Sequence, residues 1–261
     1  MEREHAMDEA ARQDFAVAPG YRPEFWRTVE EQYPAFFAAY GDLAAVPRRR
    51  GALSEKTLEL VLLAINAAVT HLHERAMRQH IRRALGFGAT AAEIAEVLQL
   101  VSVLGIHAIS IGFPALLDIA AQEGRADELP PAEMDARQLE LKESFTTTRG
   151  YWNPFWEQAL RLDPELFEAY FAFSSVPWNH GTLEPKVKEF VYVAIDASTT
   201  HMFDDGTRGH MANAFKHGAT VQELLEVLEL CVPLGIQSVA AGMAILDEEL
   251  QLLNSGQGEA Q

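Results

Sequence analysis

The sequence predicts an all-α protein made of two tandem homologous helical domains. Three observations predict it. The chain repeats itself without a gap, apolar residues recur at helical spacing in both copies, and no stretch alternates every second residue between hairpin turns.

The repeat comes first. Shifted by 130 positions, the chain falls on itself. Phe15 meets Phe145, Tyr21 meets Tyr151, and Phe25–Trp26 meets Phe155–Trp156. Tyr40 meets Tyr170, and Val46–Pro47 meets Val176–Pro177. The densest stretch aligns Glu59, His71, Arg78, His80, Glu93, Glu96, Gly105 and Gly112 with Glu189, His201, Arg208, His210, Glu223, Glu226, Gly235 and Gly242. A solenoid repeats every ~20–50 residues, so this is a duplicated domain. The expected division is 1–121, a polar proline-ended linker at 122–131, 132–253, and a flexible tail at 254–261. A charged, helix-favouring segment at 3–15 matches 133–145 in register and belongs to the first domain.

The helices follow in order. Leu58, Val61, Leu62 and Ile65 share one helical face, as do Val187, Phe190, Val191 and Ile195 in the second copy, where Pro185 suits the first turn. Gly88-Ala-Thr90 and Gly218-Ala-Thr220 end one helix in a left-handed cap and start the next, with Glu93 and Glu223 closing a capping box. Asp163-Pro164-Glu165 marks another start. The apolar stretch 98–117 reads as a buried helix. Gly105 and Gly112, and their twins Gly235 and Gly242, lie two turns apart and suggest a closely approaching helix, or a ligand.

Composition narrows the partners. The 261 residues include 38 acidic and 21 basic side chains, a formal net charge of −17. Such a surface repels phosphate backbones and anionic membranes, which excludes nucleic acid. The run Arg48–Arg50 after Pro47 reads as a solvated loop. One cysteine, Cys231, permits no internal disulfide and fits a reducing, cytoplasmic compartment. The N-terminus has no apolar signal region, and no apolar run reaches the ~18 residues of a membrane span.

The chemistry-bearing residues are Glu59, Asn66, His71, His73, Glu74, Arg78 and His80 in the first copy, and Glu189, Asp196, His201, Asp204, Asp205, Arg208 and His210 in the second. Glu59 sits among leucines and valine, either on a solvent face or partly buried with a raised pKa. A tuned carboxylate with histidine is the equipment of proton transfer near neutral pH. Glu59, His71 and His80, with Glu189, His201 and His210, are therefore the catalytic candidates. Arg78, Arg208, Asn66 and Asp196 are the substrate-binding candidates, an arginine gripping a carboxylate through paired hydrogen bonds. For each there is a plainer reading: a solvated glutamate, a helix-bridging histidine, a surface arginine. His73 and His107 lack a histidine in the other copy and read as local features. A metal is not favoured; His71, His73 and His80 are the set that would hold one. No phosphate loop, nucleophile elbow or dinucleotide fingerprint is present.

Glu59 with His80-x7-Gly88-Ala-Thr-x-x-Glu93-Ile-x-Glu96-Val, and Glu189 with His210-x7-Gly218-Ala-Thr-x-x-Glu223-Leu-x-Glu226-Val, resemble the carboxymuconolactone decarboxylase family, within the alkyl hydroperoxidase D-like superfamily. The match covers about 53–118 and 183–248. The resemblance implies an all-α fold, sites at helix or subunit interfaces, and a homo-oligomer, a trimer or dimer of tandem chains. Two departures stand out. The hydroperoxidase branch carries Cys-x-x-Cys before the histidine, whereas this chain has His73-Glu-Arg-Ala76 and Phe203-Asp-Asp-Gly206, so thiol peroxidase activity is not expected. The spacing of 21 from glutamate to histidine is longer than the family's, which puts their facing in doubt. The expected activity is that of a lyase (decarboxylase) or isomerase, without a cofactor, acting on a small oxygenated carboxylate or lactone. The alternatives are a non-catalytic small-ligand-binding protein on a thiol-less fold and a metal-dependent enzyme using the loop histidines.

Overall fold

The structure, a computed structural model, describes residues 24–258, with side chains from 28 to 255. The segment 3–15, with Phe15 and Tyr21, lies outside the described residues. Among the described residues there is no strand.

The helices of the first copy are α1 (Glu24–Gln32), α2 (Pro34–Ala44), α3 (Val46–Arg50), α4 (Glu55–Ala67), α5 (Glu74–Gly86), α6 (Ala91–Val101) and α7 (His107–Gln122). Those of the second are α8 (Ala136–Arg149), α9 (Phe155–Leu162), α10 (Pro164–His180), α11 (Pro185–Ala197), α12 (Asp204–Lys216), α13 (Val221–Cys231) and α14 (Ile236–Gly258). The caps are those the sequence indicates. Gly88 and Gly218 both adopt φ +84°, the left-handed conformation that glycine tolerates. Thr220 and Glu223 close a capping box, and Thr90 and Glu93 make the same reciprocal bonds. Asp163 accepts from the Leu166 amide to start α10. Helix α14 runs on to Gly258, through most of the stretch expected to be a flexible tail.

Packing does not follow the repeat. One compact unit comprises residues 1–101 and 183–261, the other residues 102–182. In the first unit α4 and α6 pack against α11 and α13 of the other copy. Leu58, Val61 and Ile65 meet Phe190, Val193, Ala194, Leu224, Val227 and Leu230 in one core. Two buried glutamates stitch the copies together. Glu226 accepts from the amides of Ala52 and Leu53 at 2.9 and 2.8 Å. Its twin Glu96 accepts from the Leu183 amide at 3.0 Å and from Lys188 Nζ at 2.9 Å. Helix α14 lies against α1 and brings Ile236, Val239 and Met243 onto Val29, Phe37 and Tyr40. In the second unit the equivalent exchange recurs. Ile109 and Phe113 of α7 pack on an aromatic cluster of Phe145, Trp156 and Phe167.

Three expectations are corrected here. The stretch 98–117 is not one buried helix: it spans the end of α6, a 3₁₀ turn at Ser102–Ile106 and the start of α7, which buries none of its residues. The helical stretches Ala91–Gln122 and Val221–Ser255 do reach the length and apolarity of a membrane span, against the expectation of no such run, although α6 and α13 within them supply core residues. A Cβ added at Gly105, Gly112, Gly235 or Gly242 would meet no heavy atom within 4 Å, so no close approach accounts for these glycines.

Candidate active site

Helices α4 and α5 pack along each other and bring Glu59 to His80 despite the long spacing. His80 Nδ1 lies 2.8 Å from Glu59 Oε2. The other carboxylate oxygen, Oε1, accepts from Arg83 Nε at 2.7 Å and from Arg48 Nη2 at 2.5 Å. Arg83 follows His80 by three residues, so both face α4. Arg48 comes from α3 and also binds Glu55 at 2.8 Å. It is nine-tenths buried, so the solvated-loop reading of Arg48–Arg50 is wrong for its first member.

Glu59 is fully buried. Burial alone would raise its pKa, but His80, Arg83 and Arg48 together outweigh that and hold the carboxyl at about 2. The expected raised pKa is thereby corrected. An ionised carboxylate only accepts hydrogen bonds, so His80 Nδ1–H must be the donor. That fixes the tautomer and leaves Nε2 as the ring nitrogen available for chemistry.

His80 lines a cavity of about 150 Å³. The first copy contributes Arg48, Arg75, His73 and Asn66 to its wall. The second copy contributes Leu230, Leu234, Ile236 and Gln237. Tyr40 also lines it, and burial raises its pKa, keeping the phenol protonated. Among the described residues, arginine and histidine line the cavity and no carboxylate does, in a chain of net charge −17. Such a wall favours an anion with an apolar body.

The second copy repeats the pair and changes its surroundings. His210 Nδ1 lies 2.7 Å from Glu189 Oε2, and Tyr192 stacks on the ring at 4.5 Å. Its Nε2 lies 4.0 Å from Asp196 Oδ2. Burial raises the Asp196 pKa; His210 lowers it, Glu189 adds to the rise, and it settles at about 7. Trp178 and Asn213 stand where register would put the two arginines. Gly206 is required here: a Cβ would come within 2.1 Å of Asp196 Oδ2.

Other candidates are placed elsewhere. Arg78 binds Glu74 and Arg208 binds Asp204, each within its own helix and largely exposed, so neither is a substrate clamp here. His71 stacks on His73 at 5.6 Å and does not line the cavity. His201 is half-buried, and burial lowers its pKa. His73 Nδ1 accepts from the Ala76 amide and caps α5. Among the described residues, His71, His73 and His80 do not converge as a ligand set. Cys231 is buried, which pushes its thiol up to about 12. Arg48, Arg75, Arg83, Tyr40 and Gln237 are the site residues that sequence reasoning missed.

A family model described as carboxymuconolactone decarboxylase matches residues 33–121 and 164–248. A crystal structure described as a candidate gamma-carboxymuconolactone decarboxylase subunit from Burkholderia xenovorans LB400 is 43% identical, covering 94% of this chain and 99% of that one, with a TM-score of 0.87. No curated protein matches. With the repeat, the helices and the paired Glu–His contacts in place, these matches make the chain a member of the carboxymuconolactone decarboxylase family.

Proposed function

We propose that the first-copy cavity is the active site of a decarboxylating lyase, or an isomerase, acting without a cofactor on a small oxygenated carboxylate or lactone. The observation that carries this reading is the His80 ring on the cavity wall, its Nδ1 held 2.8 Å from an ionised, buried Glu59. Glu59 is a positioning residue: its pKa of about 2 makes it a poor proton acceptor near neutrality. His80 Nε2 moves the proton.

In decarboxylation, the C–CO₂⁻ bond breaks and its electron pair enters a conjugated carbonyl as an enolate. Carbon dioxide leaves, and His80 Nε2, having taken a proton from solvent, delivers it to carbon, so that one solvent proton is consumed for each carbon dioxide released. In isomerisation, Nε2 takes a proton from one carbon and returns it to another. Arg75 on the cavity wall provides positive charge for the substrate carboxylate, while Arg48, bound to Glu55 and Glu59, holds the partner of His80 in place.

The test is carbon dioxide release from carboxymuconolactone, with solvent-deuterium incorporation into related unsaturated lactone acids. His80→Gln is expected to lower kcat by about 10²-fold or more. Glu59→Gln is expected to lower kcat and shift its pH profile. Turnover by His80→Gln at the wild-type rate would falsify the reading.

A further inference from the structure

Helix α14 brings Gln237 of the second copy beside Asn66 of the first, both on the cavity wall. The backbone fixes how the two amides face. Asn66 Nδ2 donates to the Leu62 carbonyl at 2.8 Å. A flipped Asn66 would set oxygen against oxygen, so its Oδ1 faces Gln237. Gln237 Nε2 therefore donates to it, at 2.5 Å. What remains is Gln237 Oε1, a buried acceptor without a hydrogen-bond partner. Buried carbonyl oxygens are rarely left this way, and an unmet one on a residue that lines a cavity points to a missing donor.

The surroundings narrow that donor. A carboxylate or ketone oxygen would repel Oε1. An ammonium group would be disfavoured by Arg75 on the same wall. A neutral hydroxyl satisfies both conditions. Its carboxylate partner in the same molecule suits the cationic part of the wall.

We propose that Gln237, oriented by Asn66, is a specificity residue that accepts a hydrogen bond from a substrate hydroxyl or enol, so that the cavity selects hydroxylated carboxylates over their keto and deoxy counterparts. The proposal rests on the reading above only for the location of the site, not for turnover there. It also gives the second copy a role in the first copy's pocket: one wall carries the base, the other reads the hydroxyl.

The experiment is calorimetric binding of 4-hydroxycyclohexanecarboxylate, 4-oxocyclohexanecarboxylate and cyclohexanecarboxylate to the full chain. The hydroxy acid is expected to bind about tenfold or more tightly than the other two. Gln237→Met, which cannot accept in the same way, brings the ratio to about one. Equal affinity for the three acids, no binding of the hydroxy acid, or an unchanged preference in Gln237→Met overturns the proposal. The wild-type ranking is decisive by itself if a variant fails to fold. Binding is read without turnover. A catalytically inert protein that still prefers the hydroxy acid would therefore remove the catalytic reading and leave this one, and an active protein with no preference would do the reverse.

Discussion

Two buried carboxylates, Glu59 and Asp196, sit in related surroundings and are pulled in opposite directions. Glu59 has two arginines and a histidine, which outweigh its burial and hold it at about 2; Asp196 is raised by its burial, with the Glu189 carboxylate adding to the rise, to about 7. The consequences for stability carry opposite signs. For Glu59 the stabilisation is complete above its usual value of 4.5 and is lost as pH falls toward about 2. For Asp196 the folded state prefers the protonated form, so its contribution is greatest below 3.8 and is lost as pH rises through about 7. Asp196→Asn is therefore expected to gain stability relative to wild type across that interval and then level off, by at most ~4 kcal/mol. Glu59→Gln strands Arg48 and Arg83 and is expected to cost ~3–5 kcal/mol near neutrality, the gap closing in acid. Urea unfolding over a pH series checks both; a flat Asp196→Asn difference would contradict the first. At this scale the sequence showed what the copies share and hid what they do not. The repeat singled out Glu59, His80, Glu189 and His210 together. It passed over Arg48 and Arg83 because Trp178 and Asn213 stand at their counterparts. Arg83 had a signal, three residues after His80 on one helix face. Arg48 had none, because only the tertiary placement of α3 brings it to Glu59.

At the scale of elements, the motif glutamates separate into two structural jobs. Glu93 and Glu223 close capping boxes and bind Lys56 and Lys186 near the surface. Glu96 and Glu226 are buried and receive backbone amides from the other copy. The first job is local, and the sequence displays it as Gly-Ala-Thr-x-x-Glu. The second depends on a segment 87 to 174 residues away and leaves no local trace. Glu226→Leu strands the buried amides of Ala52 and Leu53 and is expected to cost ~2–4 kcal/mol. Glu93→Gln, at a partly exposed cap, should cost no more than ~1 kcal/mol. Chemical denaturation of the two variants measures the contrast, and equal losses would mean that the stitch carries no special weight. Apolarity alone misjudged α7, because it reports that a helix suits burial without saying whether anything covers it.

For the whole molecule, the repeat of 130 positions is a unit of sequence and not a unit of packing. Leu58, Val61 and Ile65 of the first copy complete their core with Phe190, Val193, Leu224 and Val227 of the second. Neither half contains that core by itself. A fragment of residues 1–131 would expose the α4 and α6 faces that α11 and α13 now cover, and lose Glu226 from its entry loop. Exposing several large apolar side chains at ~1.5–3 kcal/mol each is comparable to the ~5–15 kcal/mol by which ordinary domains are stable. The fragments 1–131 and 132–261 are therefore expected not to fold as monomers, and to recover helicity and a cooperative melt when mixed one to one. Circular dichroism with sedimentation velocity checks this. A cooperatively folded monomer of either fragment would show that the shared core is dispensable, and with it the dependence of the His80 cavity on residues such as Gln237 from the other copy.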